Sequence, residues 1–243
     1  MDRLRDGSAS ARSFKSRQAE IRNNSFQPSH LPARPRTLTG QQWRKAILHL
    51  KKSDPVLRGL IERIGRYGIE FLEPDFATLV RAIVYQQLSG KVASVIFDRL
   101  AAAAGDGRLT PEAVLQLSPR KMRAQGLSKQ KIAYIRDLAA RAVSGELDFA
   151  AIEKLPDEAV YERLTRLKGI GVWTAQMFLI FALRRTDVLP SADLGIRAAV
   201  RKAYGYPDLP KPSQVEKLAQ RWRPYCTVAV WYLWRSLETK AGL

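Results

Sequence analysis

Residues 161–183 read YERLTRLKGIGVWTAQMFLIFAL. The spacing predicts an amphipathic helix running to about Leu167 and a four-residue turn, Lys168-Gly169-Ile170-Gly171. A second helix from Val172 is apolar nearly all round, as a buried central helix is. Glycine costs a helix interior about 1 kcal/mol relative to alanine, so two glycines at a helix boundary have a reason to be there. They let the backbone take φ > 0 and approach another group closely. Gly171 also precedes a helix N-terminus, whose free N–H groups favour an anion, and Lys168 adds a cation. By itself the turn reads first as a plain αα-hairpin with a glycine cap.

The rest of the chain from residue 41 onward has the same period. DFATLVRAIVYQQ (75–87) carries Phe76, Leu79, Val80 and Ile83 on one face with Asp75 as N-cap. SGKVASVIFDRLAAAAG (89–105) is a helix closed by Gly105, and SKQKIAYIRDLAARAVSG (128–145) has a Ser128 cap and Gly145 at its end. PDEAVYERLTRL (156–167) opens with proline and acids, as helix starts do. SQVEKLAQRW and PYCTVAVWYLWRSLE close the chain. No period-2 alternation and no hairpin turn between apolar runs is evident, so the expected class is all-α.

The charge is the strongest bulk signal. Forty-one Lys and Arg face 23 Asp and Glu, a formal net charge of +18. Such an excess suits a polyanionic partner, most simply nucleic acid. Residues 1–40 carry eight basic and three acidic residues with few apolar ones, and read as a disordered basic arm. The remaining +13 lies on residues 41–243. One cysteine, Cys226, excludes an intrachain disulfide and a four-cysteine zinc or iron–sulfur site. Two histidines argue against a His-based metal site or triad. No apolar run is long enough to span a membrane, and no long exposed apolar stripe argues against a monomer. A reducing compartment is expected: a bacterial cytoplasm, at the nucleoid, or otherwise a nucleus.

LKGIGVWTA (167–175) resembles the helix–hairpin–helix of the DNA glycosylase superfamily, L-P-G-[IV]-G-x-x-T-A, with Lys168 in place of the usual proline. DVLPSADLGIRAAV (187–200) is similar to that family's aspartate segment and places Asp193 twenty-two residues after Gly171. LVRAIVYQQLSGKVAS (79–94), GLSKQKIAYIRDLA (126–139) and WRPYCTVAVWYLW (222–234) resemble blocks of its alkylation-repair branch, 3-methyladenine DNA glycosylase II. The resemblance runs in order over roughly residues 41–240. It implies a two-lobed helical bundle without an iron–sulfur cluster and without the β-rich N-terminal domain of longer members.

The same resemblance implies roles. Asp193 is the catalytic carboxylate, although without the hairpin the residues read it first as an N-cap, a task it can combine with catalysis, and Asp187 is the weaker candidate, better explained by a surface ion pair. Bifunctional members carry lysine at the position of Trp173, so tryptophan implies a monofunctional hydrolase acting on alkylated purines in damaged duplex DNA. Trp173, Tyr85 and Trp231 are assigned to an aromatic base pocket, with core packing as their alternative, and Trp234 is read as core. Gln87 is expected to plug the gap left by a flipped nucleotide, with Gln86 beside it. Lys168, Gly169, Ile170 and Gly171 are expected to meet DNA backbone, as are Ser128 and Lys129. Carbonyls of Thr165, Leu167 and Ile170 are expected to hold a structural monovalent cation, with no cofactor required. Two rivals stand beside this reading: a non-catalytic helix–hairpin–helix binding module, and a glycosylase for a neutral lesion such as uracil, hypoxanthine or oxidised guanine.

Overall fold

A computed structural model describes residues 40–105 and 107–238. The arm expected over residues 1–40 lies outside the described residues, apart from Gly40. The helices are α1 (Gly40–Ser53), α2 (Pro55–Ile64), α3 (Phe76–Tyr85), α4 (Gly90–Ala103), α5 (Pro111–Gln116), α6 (Pro119–Ala124) and α7 (Lys129–Val143). They continue with α8 (Phe149–Glu153), α9 (Asp157–Thr165), α10 (Val172–Phe181), α11 (Leu194–Tyr204), α12 (Pro212–Ala219), a 3-10 turn (Gln220–Trp222) and α13 (Cys226–Glu238). No strand occurs among the described residues, so the all-α expectation is borne out.

Local chemistry sets the helix starts. Asp54, Asp75, Thr110, Ser118, Ser128, Asp148 and Asp193 each precede a helix and accept main-chain N–H bonds from its first turn. Each such cap contributes about 1 kcal/mol. Pro55, Pro111, Pro119 and Pro212 occupy first helical positions, where the missing N–H costs nothing. Helices α4 and α7 stop two residues short of Gly105 and Gly145, and these glycines turn the chain beyond the helix at φ +107° and +77°.

The apolar faces collapse onto two cores. One gathers Ile83, Leu100, Met122, Ile135, Leu164 and Ile180 from α3, α4, α6, α7, α9 and α10, all fully buried. The other gathers Leu50, Leu57, Ile196, Trp222 and Tyr232 from α1, α2, α11, the 3-10 turn and α13. Trp234 packs against both. The chain crosses from the first core to the second along residues 184–193, and that strap is pinned at many points. Thr227 Oγ1 donates to the Arg185 carbonyl at 2.7 Å and accepts from the Val188 N–H at 3.1 Å. Gln176 Nε2 donates to the Leu189 carbonyl at 3.2 Å, and Ser191 Oγ donates to Glu216 at 2.7 Å. Asp187 accepts from Arg223 at 2.6 Å and from the Cys226 N–H at 3.2 Å. Its ion-pair partner is therefore Arg223 of a distant turn, and its task is to anchor the strap.

Helix α11 leaves the strap and is gripped at its far end. Asp54 is fully buried and takes four donors. Val56 and Leu57 N–H bind one oxygen at 2.9 and 3.2 Å, and Tyr204 Oη and Trp222 Nε1 bind the other at 2.7 and 2.9 Å. Burial, reinforced by the Asp54 hydrogen bond, pushes the Tyr204 hydroxyl above the usual tyrosine range, so it stays a donor. Asp54→Ala would strand these donors in the core. It is expected to cost on the order of 3–5 kcal/mol, read as a lowered midpoint in equilibrium urea unfolding.

Candidate active site

Asp193 stands at the end of the strap and caps α11, its Oδ1 accepting from the Ile196 N–H at 2.8 Å. Two indoles complete its hold. Trp173 Nε1, from the first turn of α10, donates to Oδ2 at 2.8 Å. Trp234 Nε1, from α13, donates to Oδ1 at 3.0 Å. The carboxylate is thus oriented from three helices by three N–H groups. Gly195 lies directly behind it: a Cβ there would sit 3.0 Å from Asp193 Oδ1 and 3.3 Å from Trp234 Cδ1. Trp234 stacks on Phe181 with centroids 6.1 Å apart and planes 13° from parallel. Trp173 is 40% exposed, which leaves ring surface open beside a half-buried carboxylate.

The hairpin between α9 and α10 forms a second group. Gly169 takes φ +83°, and the ring of Tyr134 from α7 lies so close that a Cβ would come within 2.3 Å of its Cδ2. The Gly169 carbonyl accepts from Gln86 Nε2 at 2.7 Å. Gly171 differs: its backbone is extended at φ −90°, and no atom lies within 4 Å of where its Cβ would be. The space beside the N-terminus of α10 is open. Ile170 is buried and its N–H closes the turn on the Leu167 carbonyl at 3.1 Å. The carbonyls of Thr165 and Ile170 take no part in the turn's hydrogen bonds among the described residues. Lys168 is 67% exposed and only loosely tied to Asp137 at 3.3 Å, so its charge is available at the surface.

Gln86 follows α3 and faces the hairpin, while Gln87 is exposed and left-handed at φ +59°. That region disfavours a residue with a Cβ. Ser128 caps α7 by accepting the Lys131 N–H at 3.2 Å, and Lys129 is exposed beside it.

The residues assigned to an aromatic pocket do not all meet. Trp173 adjoins Asp193. Trp231 lies one helical turn before Trp234 and packs on Tyr67 at 4.7 Å and edge-on to Tyr232 at 4.9 Å. Tyr85 is 7% exposed in the first core, with the Arg81 guanidinium 4.4 Å above its ring. Trp234, read from sequence as core, packs against both cores and also holds the carboxylate. The available signal was chemical: a half-buried indole N–H needs an acceptor. Gly195 offered another, as glycine in a first helical turn sacrifices stability for space. Tyr134 and Lys131 gave no signal, since their partners are main-chain groups far along the chain.

With the geometry in place, the likenesses to known proteins are specific. Residues 80–224 match the family described as HhH-GPD superfamily base excision DNA repair protein. DNA-3-methyladenine glycosylase 1 of Schizosaccharomyces pombe is 37% identical over 198 residues, 79% of this chain and 86% of that protein. The solved structure of the 3-methyladenine DNA glycosylase Mag1 of S. pombe in complex with abasic DNA superposes with a TM-score of 0.75 at 35% identity, over 82% of this chain and 99% of that one. A DNA-3-methyladenine glycosidase from Bacillus halodurans superposes with a TM-score of 0.74 at 37% identity, over 81% and 90% of the two chains.

The two hairpin glycines have different tasks, and substitution separates them. Gly169→Ala meets both a left-handed φ and the Tyr134 ring, and is expected to cost about 2 kcal/mol or more. Gly171→Ala fits the backbone and the space, and is expected to cost less than about 1 kcal/mol. Urea unfolding of the two variants checks this; equal losses would contradict the described turn.

Proposed function

The chain belongs to the HhH-GPD superfamily of base excision DNA repair proteins, and from that premise we propose that it is a monofunctional DNA glycosylase for alkylated purines, 3-methyladenine and 7-methylguanine, in duplex DNA. The observation that carries the reading is the Asp193 carboxylate, fixed by Trp173, Trp234 and the Ile196 N–H, with an exposed indole face beside it.

The chemistry follows from that arrangement. The target nucleotide leaves the stack, since its glycosidic bond is out of reach inside a duplex. As the C1′–N bond breaks, its electron pair goes to the base and positive charge develops on the sugar. A carboxylate already oriented there stabilises that charge without reorganising. Water then adds to C1′ and gives its proton to Asp193 or solvent, leaving an abasic site. An alkylated purine is a cation before cleavage and neutral after it, so base departure needs little acid assistance. The same charge suits an electron-rich indole, an attraction worth about 1–2 kcal/mol when desolvated. Trp173 has no amine to form a Schiff base, which supports hydrolysis without strand nicking.

The hairpin supplies affinity. Open space at Gly171, the free N–H groups opening α10 and the exposed Lys168 suit a DNA phosphate. The formal net charge of +18 makes binding steeply salt-dependent. Ser128 and Lys129 at the start of α7 are offered to the same backbone, and exposed Gln87 is offered to the gap left by the flipped nucleotide. Carbonyls of Thr165, Leu167 and Ile170 are uncharged oxygens at one turn, a donor set fitting a monovalent cation; bound there, it would stiffen the turn and screen its carbonyls from phosphate. The protein is expected to act as a monomer on DNA.

Methylated duplex DNA tests the reading. The wild type should release free 3-methyladenine, with strand breaks only after alkali. Asp193→Asn should bind DNA as well as wild type and lose release by about 10²-fold or more. Trp234→Phe keeps the stack on Phe181 and loses one charged hydrogen bond, so release should fall about tenfold. Breaks without alkali would refute the monofunctional assignment, and full release by Asp193→Asn would remove Asp193 from the chemistry.

A further inference from the structure

Gln87 is exposed at a left-handed φ of +59° just beyond α3. A non-glycine residue persists there only where its surroundings over-determine the backbone, and here the surroundings are specific. Lys131, in the first turn of α7, donates from Nζ to the Val84 carbonyl and to the Gln86 carbonyl, each at 2.7 Å. These carbonyls belong to the end of α3, where helix acceptors run out of partners. A cation suits that end of a helix. Burial pulls the Lys131 ammonium below the usual lysine range, as expected for a cation drawn in from solvent.

The bracing extends to the hairpin. Gln86 Nε2 donates to the Gly169 carbonyl at 2.7 Å. Tyr134, one turn after Lys131, packs its ring on Gly169, and Gln130 Nε2 bonds the Tyr134 hydroxyl at 2.5 Å. The opening turns of α7 therefore grip the Gln87 turn with one side chain and the hairpin glycine with another. We propose that Lys131 is a positioning residue: it caps α3 from another helix and thereby fixes the turn that aims Gln87 into the duplex. This rests on the reading of Gln87 as the residue that fills the gap left by a flipped base.

A double-mutant cycle on methylated duplex DNA tests it. Lys131→Met keeps the stem and removes all three donors. In the wild-type background it is expected to lower kcat/KM about tenfold, and to weaken the fluorescence rise of a 2-aminopurine placed beside the lesion, which reports base flipping. In the Gln87→Ala background the same change is expected to cost less than about twofold, since there is no side chain left to aim. Equal losses in the two backgrounds, or no loss in the wild type, would overturn the proposal. Failure of the underlying reading looks different: Gln87→Ala by itself would then leave both kcat/KM and the 2-aminopurine signal unchanged. Should Lys131→Met not fold, Lys131→Gln is read in the same cycle by the same criteria.

Discussion

A carboxylate that must face a substrate cannot be buried in an ion pair, yet it has to be held still. In this protein the hold on Asp193 is made by neutral donors: two indole N–H groups and one main-chain N–H. Neutral donors orient the oxygens without cancelling the negative charge. An arginine or lysine in either place would compensate the charge that the proposed chemistry needs against a developing sugar cation. Tryptophan also brings a large apolar body, and that of Trp234 is fixed by packing. Trp234 is wedged on Phe181 between the two cores, and Trp173 rises from the first turn of the most apolar helix. Gly195 completes the arrangement by leaving room for the indole to reach the carboxylate.

The rest of the fold answers to this constraint. The three donors come from α10, α11 and α13, so their relative placement has to be secure. Thr227 of α13 binds both sides of the strap, at Arg185 and at Val188. Gln176 of α10 reaches the same strap at Leu189, and Glu216 of α12 reaches it at Ser191. Asp54 secures the other end of α11 through Tyr204. Small displacements of a reacting group are costly in rate, and each of these bonds restrains a different displacement. The two cores matter in the same way: they give each side of the strap a close-packed wall that does not deform continuously.

Much of this was legible in the residues. The period of 3.6 gave α3, α4, α7, α9 and α10, and Asp75, Ser128 and Pro156 marked starts among them, because capping is a local matter, while α1, α2 and the short α5, α6 and α8 stood out less. The two glycines marked the hairpin, and the motif spacing pointed to Asp193 as the carboxylate of the proposed site. What was not legible shares one physical character. Trp234 lies 41 residues from Asp193, and Lys131 lies 45 from Gln86. A side chain whose partner lies far along the chain, whether a carboxylate or a main-chain carbonyl, leaves no pattern along it. Tyr85 stood between two readings, pocket and core, and the structure buries it in the first core with Arg81 over its ring. Adjacency in sequence says little about direction at a helix end, where one residue turns the chain.

Under the proposed function, the two groups of site residues divide the work of a flipping enzyme in a physically sensible way. Opening a duplex and breaking a bond ask for different things. The first needs an exposed, firmly held side chain, and Gln87, just beyond α3 and left-handed, is exposed. Its strain is offset by the Lys131 bonds from α7 and by the Gln86 bond to the hairpin, among helices that pack in the first core. The second needs a rigid charge, and Asp193 obtains it at the seam between the cores. The hairpin connects the two tasks. Gly169 is tied to the Gln86 side chain on one side, and four residues later Trp173 is tied to Asp193 on the other. The turn is thus bonded toward both the residue proposed to enter the stack and the proposed catalytic carboxylate. Gly169 is needed for how the turn packs, and Gly171 for what the turn can approach.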